Sequence, residues 1–102
     1  MDLIRLDLRA IIYREDAWWI AHCLELDLPA EGDSPKQALE SLIDLISVQV
    51  DAAMEEGDLE SIYRPAPSEL WRLFSIATRD RPLRRKPPKP ISRFEARELE
   101  LA

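Results

Sequence analysis

The sequence is poor in the residues that most often carry chemistry. Its 102 residues include one cysteine, Cys23, and one histidine, His22. A lone cysteine excludes a disulfide within the chain and any metal site built from several thiolates. The two residues are neighbours, so in a strand their side chains point to opposite faces. They are badly placed to share a metal or to work as nucleophile and base. The expected role of both is structural, with a partner contact through His22 as the alternative. Long apolar runs are missing too, and nothing approaches the uninterrupted length of a membrane helix. Met1-Asp2-Leu3-Ile4-Arg5 scatters charge among its apolar residues, unlike a secretory leader. The expectation is a soluble cytoplasmic chain without a membrane partner. Its length fits one domain. A domain of this size is marginally stable, which makes a homo-oligomer plausible.

Basic charge is scarce in the first part of the chain and gathered in the second. Residues 1–60 carry 4 basic and 15 acidic side chains, a net of −11, whereas residues 61–102 carry 10 and 5, a net of +5. The first part would repel a phosphate backbone, and the second could approach one. An acidic face of this kind suits a basic protein partner.

The apolar pattern predicts an α+β domain. In residues 3–14, Ile4, Leu6, Leu8, Ala10 and Ile12 alternate with Arg5, Asp7 and Arg9, the mark of a strand with one wet face. Glu15-Asp16-Ala17 is a turn. A second strand over residues 18–24 places Trp18, Ile20 and His22 on one side and Trp19, Ala21 and Cys23 on the other. Glu25-Leu26-Asp27 turns the chain again into a short strand over 28–32, where Pro29 argues for a sheet edge. These three strands make an antiparallel meander. Ser34 then opens a helix, with Pro35 at its first position, Gln37 completing a capping box, and Gly57 as the stop. Its apolar stripe is Leu39, Leu42, Ile43, Ile46, Val50 and Ala53, with Lys36, Glu40, Asp44, Ser47 and Asp51 facing away. A proline-rich connection leads to a shorter helix over 68–78, with Leu70, Leu73, Phe74 and Ala77 as its apolar side and Trp71 at the margin.

From residue 79 to 90, four prolines alternate with six basic residues. No regular strand or helix is expected there, only an extended arm. The tail over 91–102 alternates again: Arg93-Phe94-Glu95-Ala96-Arg97 repeats the character of Arg5-Leu6-Asp7-Leu8-Arg9. A strand is the expectation, with helix as the rival because Glu, Ala, Arg and Leu all favour it. The first strand has only one evident neighbour, and a tail strand would fill its open edge in the same chain or in a partner subunit; the stiff proline-rich arm favours the partner subunit, giving an arm-exchanged homodimer. The organisation is therefore an α+β domain over 1–78, a basic arm over 79–90 and a strand over 91–102.

Tyr13-Arg14-Glu15-Asp16-Ala17-Trp18-Trp19-Ile20-Ala21-His22-Cys23, with Glu25-Leu26, Glu31-Gly32-Asp33-Ser34, Ala38 and Leu42, resembles the N-terminal domain of HicB-like antitoxins. The resemblance covers about residues 3–56. It implies a partial ribonuclease H-like fold of three antiparallel strands, a helix and usually a further strand. It also implies binding to a small RNA-cleaving toxin, blocked by covering its active site. Two departures accompany it. Leu24 stands where family members often have proline, and the residues after 60 match neither a helix-turn-helix nor a ribbon-helix-helix DNA-binding domain.

The candidate sites divide by chemistry. Asp7, Glu15, Asp16 and Asp27 are the carboxylates a ribonuclease H-like fold invites one to test. Asp7 lies between two arginines and the others lie in turns, so convergence on a metal is not expected. No catalytic, cofactor or metal residue is assigned, and the expectation is a binding protein and not an enzyme. Trp18, Trp19, His22, Trp71 and Phe94 are the candidate partner or oligomer contacts, with core packing as the rival role for the tryptophans. Because Trp18 and Trp19 face opposite ways, at most one can join the main core. Arg84, Arg85 and Lys86 are the candidate nucleic-acid contact. A solvated linker and a reach across a dimer to the acidic part are the other readings of the same residues.

Overall fold

A computed structural model of the chain describes residues 5–83 and 86–99. Met1, Asp2, Leu3, Ile4 and the pair Arg84-Arg85, named above, lie outside the described residues, as do the last three residues of the tail. The alternation near the start becomes strand β1 (Leu6–Glu15), followed by β2 (Trp18–Cys23) and β3 (Leu28–Gly32). The turns between them place Asp16 and Asp27 at φ of 54° and 52°. Aspartate enters this left-handed region more readily than most residues. Helix α1 (Pro35–Glu55) follows, then a 3-10 turn (Leu59–Ile62) and helix α2 (Ser68–Ile76). Strand β4 (Arg79–Asp80) and strand β5 (Ile91–Glu98) complete the chain. The fold is α+β, a mixed sheet of five strands ordered β3-β2-β1-β5-β4 with two helices.

The tail strand fills the edge beside β1 of its own chain, and it runs parallel to β1. Asp7 lies opposite Arg93 and Arg9 opposite Glu95, so the two similar sequences set unlike charges side by side. An irregularity between Leu6 and Asp7 leaves Ser92 without a cross-strand partner. The expectation that residues 79–90 hold no regular strand is corrected: Arg79 and Asp80 pair antiparallel with Glu98 and Arg97. Prolines prevent a longer strand, but Pro82 lies beyond this two-residue bridge and leaves its amides free to pair.

Helix α1 starts and stops as its local chemistry dictates. Ser34 Oγ accepts from the Gln37 amide at 3.1 Å, and Gln37 Oε1 accepts from the Asp33 amide. At the other end, Gly57 at φ 69° lets its own amide reach the Met54 carbonyl and the Asp58 amide reach Ala53. These two bonds are those of a Schellman stop. The helix lays Ala38, Leu39, Leu42, Ile46, Val50 and Ala53 against Leu6, Leu8, Ala10, Ile12, Ala21 and Cys23 of the sheet. Each fully buried Leu or Ile there contributes about 1.5–3 kcal/mol. Gly32 sets how close the layers come, since a Cβ on it would sit 2.4 Å from the Ala38 nitrogen.

The opposite face of the sheet has a smaller core of its own. Ile11 and Leu24 are fully buried there with Ala66, Phe74 and Ala77, and Tyr13, Leu70, Trp71 and Leu73 pack around them. Helix α2 is therefore the cover of the second face. Ala10-Ile11-Ile12 already breaks strict alternation, because both sides of β1 are buried at this point.

Candidate functional site

The five candidate contact residues do not form one patch. Trp19 and Phe94 pack against the main core beneath α1. Trp71 packs on the second core, and its Nε1 donates to the Ala66 carbonyl at 3.2 Å. Trp18 and His22 lie on the α2 side of β2, on either side of buried Ile20. Trp18 is 49% exposed and lies opposite Glu15. Its neighbour Trp19 takes the inner position, as two adjacent strand residues must divide. His22 is tied at 2.7 Å from its Nε2 to Oδ1 of Asp27, closing the β2–β3 turn.

Two other carboxylates are buried, and sequence reading assigned neither a role. Glu25, in the turn after β2, receives the Arg9 amide at 2.7 Å and the Arg9 guanidinium at 2.6 Å. Glu98, only 5% exposed, accepts from Arg81 at 2.6 Å and from Arg79 at 3.4 Å. The second arrangement fastens the start of the arm onto β5. Its partners lie 17 and 19 residues upstream in a segment that reads as a linker, so spacing alone does not reveal it. On the outer side of β5, the Arg97 guanidinium lies 4.4 Å from the centroid of the Phe74 ring and donates to the Phe74 carbonyl. These contacts join α2 to the tail strand.

The carboxylates proposed for metal chemistry are dispersed. Glu15 and Asp16 sit at the β1–β2 turn, Asp27 at the β2–β3 turn at the opposite end of β2, and Asp7 beside Arg93. β2 alone separates the two turns by about 20 Å at ~3.3 Å per residue. Among the described residues, no three His, Cys, Asp or Glu side chains are arranged to hold a metal ion. Burial pushes the Cys23 thiol up to about 12, which suits a small core side chain and not a nucleophile.

Helix α1 is divided along its exposed surface. Glu40, Asp44, Val48, Asp51 and Glu55 follow one another at helical spacing and are all exposed, continuing into exposed Glu56, Asp58 and Glu60. Lys36 is the only basic residue of the helix. On one flank, a groove of about 520 Å³ separates Lys36, Glu40 and Ile43 from Arg81, Pro82 and Leu83. On the other, a cleft of about 290 Å³ lies between Gln49 and Ala52 of α1, Leu28 of β3 and Arg64. Lys86 is exposed, as is Lys89. Among the described residues, no helix is long and apolar enough to cross a membrane. No protein-family model, curated protein or solved structure matches the chain.

Proposed function

We propose that the chain is a HicB-like protein-binding module that neutralises a small RNA-cleaving toxin in the cytoplasm by covering it. The observation that carries this reading is the exposed acidic ridge from Glu40 through Asp44, Asp51 and Glu55 to Glu60. A protein that handles RNA offers basic side chains to phosphates. An acidic ridge whose helical part, Glu40 to Glu55, is about 22 Å long at ~1.5 Å per residue competes for those same side chains. Exposed Trp18, at the far end of β2 from the His22–Asp27 turn, adds an aromatic anchor of the type favoured at interfaces. On this reading the chain binds and does not catalyse, consistent with the scattered positions of Asp7, Glu15, Asp16 and Asp27.

The test is co-expression with the product of a small adjacent reading frame of double-stranded-RNA-binding character. RNA cleavage by that product should cease when the chain is present. Cleavage that continues with an excess of the chain contradicts the reading. A nucleic-acid-binding role for the arm is the alternative, supported by exposed Lys86 and Lys89. Against it, Arg79 and Arg81 are turned onto Glu98. Salt-sensitive RNA or DNA binding lost in Arg84→Ala/Arg85→Ala/Lys86→Ala would favour the arm.

A further inference from the structure

Residues 15–35 hold six acidic side chains and no lysine or arginine. Strands β2 and β3 lie wholly within this stretch. Cross-strand pairing fixes which of their residues share a surface. His22 lies opposite Ile11 and Pro29, Ile20 opposite Tyr13 and Glu31, and Trp18 opposite Glu15. Directly opposed residues point to the same face of a sheet. Ile11 and Tyr13 belong to the second core, so this whole set looks out on the α2 side. The acidic ridge of α1 is on the other side.

Helix α2 meets the sheet at β1 and leaves the β2–β3 half of this face open. Trp18 is 49% exposed, and Pro29, Glu31 and Glu15 are exposed with it. Glu15 stands on the β1 side of Trp18 and Glu31 on the β3 side. Among the described residues, neither carboxylate has an ion-pair partner and the Trp18 indole has no hydrogen bond. The neighbouring polar groups are committed elsewhere. His22 is tied to Asp27, and Arg9 is held by Glu25. Arg14 falls on the opposite face by alternation, with its Nε on the Asp16 carbonyl. Helix α2 adds one exposed acid and one exposed base, Glu69 and Arg72, which offset each other.

We propose that this face docks an arginine-bearing segment of a partner protein, the guanidinium lying over Trp18 between Glu15 and Glu31. Charge complementarity argues for this occupant. An open indole attracts a cation to its ring face, and the two carboxylates accept the N–H groups at the cation's rim. Arginine suits the place better than lysine, because its planar group stacks on an aromatic ring and is less strongly hydrated. No cation of β2 or β3 opposes a basic segment, whereas an acidic segment meets two like charges. An apolar side chain beside the arginine then rests on Pro29 and on the edge of Ile20. The proposal rests on reading the chain as a binding module, but not on the partner being a toxin.

The test is two-dimensional NMR of the full chain, titrated with a capped peptide that alternates arginine and leucine. The Trp18 indole signal and the Ile20 and Glu31 amides should move. Trp18→Ala should weaken the peptide about three- to fivefold, and Glu15→Gln/Glu31→Gln by a similar factor, with circular dichroism unchanged. Lysine in place of the peptide's arginines should also weaken it. Glu40→Gln/Asp51→Asn/Glu55→Gln, on the other side of the sheet, should bind it as the unaltered chain does. A peptide that moves α1 signals and not Trp18 overturns the proposal. So does an affinity kept in both Trp18→Ala and Glu15→Gln/Glu31→Gln, or no shift at millimolar peptide. Self-association through Trp18 without peptide would give the face to the basic arm of a second copy and overturns it too. Toxin inhibition is read separately by RNA cleavage, so peptide binding that fails while cleavage is still blocked removes this proposal alone.

Discussion

Burial pushes the Cys23 thiol from its ordinary 9.0 to about 12. The folded state therefore holds its proton at a pH where the unfolded chain has lost it, so stability is full below about pH 9 and falls between about 9 and 12. Burial, and to a smaller extent Glu15, raises Tyr13 in the same sense. Denaturant unfolding should show a loss of about 1–2 kcal/mol between about pH 8 and about pH 10.5, and Cys23→Ala should flatten that fall. A wild-type slope retained in Cys23→Ala would assign it elsewhere. Native Cys23 should also resist thiol reagents until the protein unfolds. The arginine pair on Glu98 gives a second residue-level test. Glu98 is nearly inaccessible while Arg79 and Arg81 are partly wet. Arg81→Ala leaves a buried carboxylate with only the longer Arg79 contact and should cost about 2–3 kcal/mol. Adding Glu98→Leu to Arg81→Ala should recover part of that loss. Equal or greater destabilisation of the double variant in urea melts would mean the carboxylate is not the source of the cost.

At the level of elements, legibility followed how local the signal was. The meander and α1 were readable because alternation, the Ser34 cap and the Gly57 stop act within a few residues. The place of the tail strand was readable from the open edge of β1. Its first-face residues, Phe94 and Ala96, do meet the main core. What escaped depends on distant partners. β4 has two residues and no alternation, the buried turn at Leu24-Glu25-Leu26 looks polar in isolation, and Glu98 looks like a surface glutamate until Arg81 is brought to it. The second core was signalled by adjacent Ile11 and Ile12, but only α2 explains what covers Ile11. The contact between α1 and β3 can be tested through the two glycines. Gly32→Ala drives a Cβ into the backbone of Ala38 and should cost about 2–3 kcal/mol in thermal or urea unfolding. Gly57→Ala meets open space and suffers only its positive φ, about 1–2 kcal/mol. The reverse order of cost would mean that α1 does not approach β3 this closely.

For the whole molecule, charge is the property that links fold to function. The fold lines Glu40, Asp44, Asp51, Glu55, Glu56, Asp58 and Glu60 along the outside of α1 and the turn after it, and brings Arg79 and Arg81 to the far edge of the sheet. The candidate site was half legible: the acidity could be counted and Glu40, Asp44 and Asp51 fall on the outward face of the α1 pattern, but the continuation through Glu55 and Glu56 to Glu60 needed the fold. The dispersal of Trp18, Trp19, Trp71 and Phe94 between two cores and the surface also needed the third dimension. If the ridge receives a basic partner, Glu40→Gln/Asp51→Asn/Glu55→Gln should weaken binding about tenfold, from three exposed pairs at about 0.5 kcal/mol each. Calorimetric titration checks this, and affinity should also fall as salt rises. The most direct measurement is titration of RNA cleavage by the adjacent-frame toxin with increasing amounts of this chain. Cleavage should fall to zero at a stoichiometric amount, and more of the charge-neutralised triple variant should be needed to reach the same point. Undiminished cleavage at a large excess, or equal inhibition by the triple variant, would contradict it.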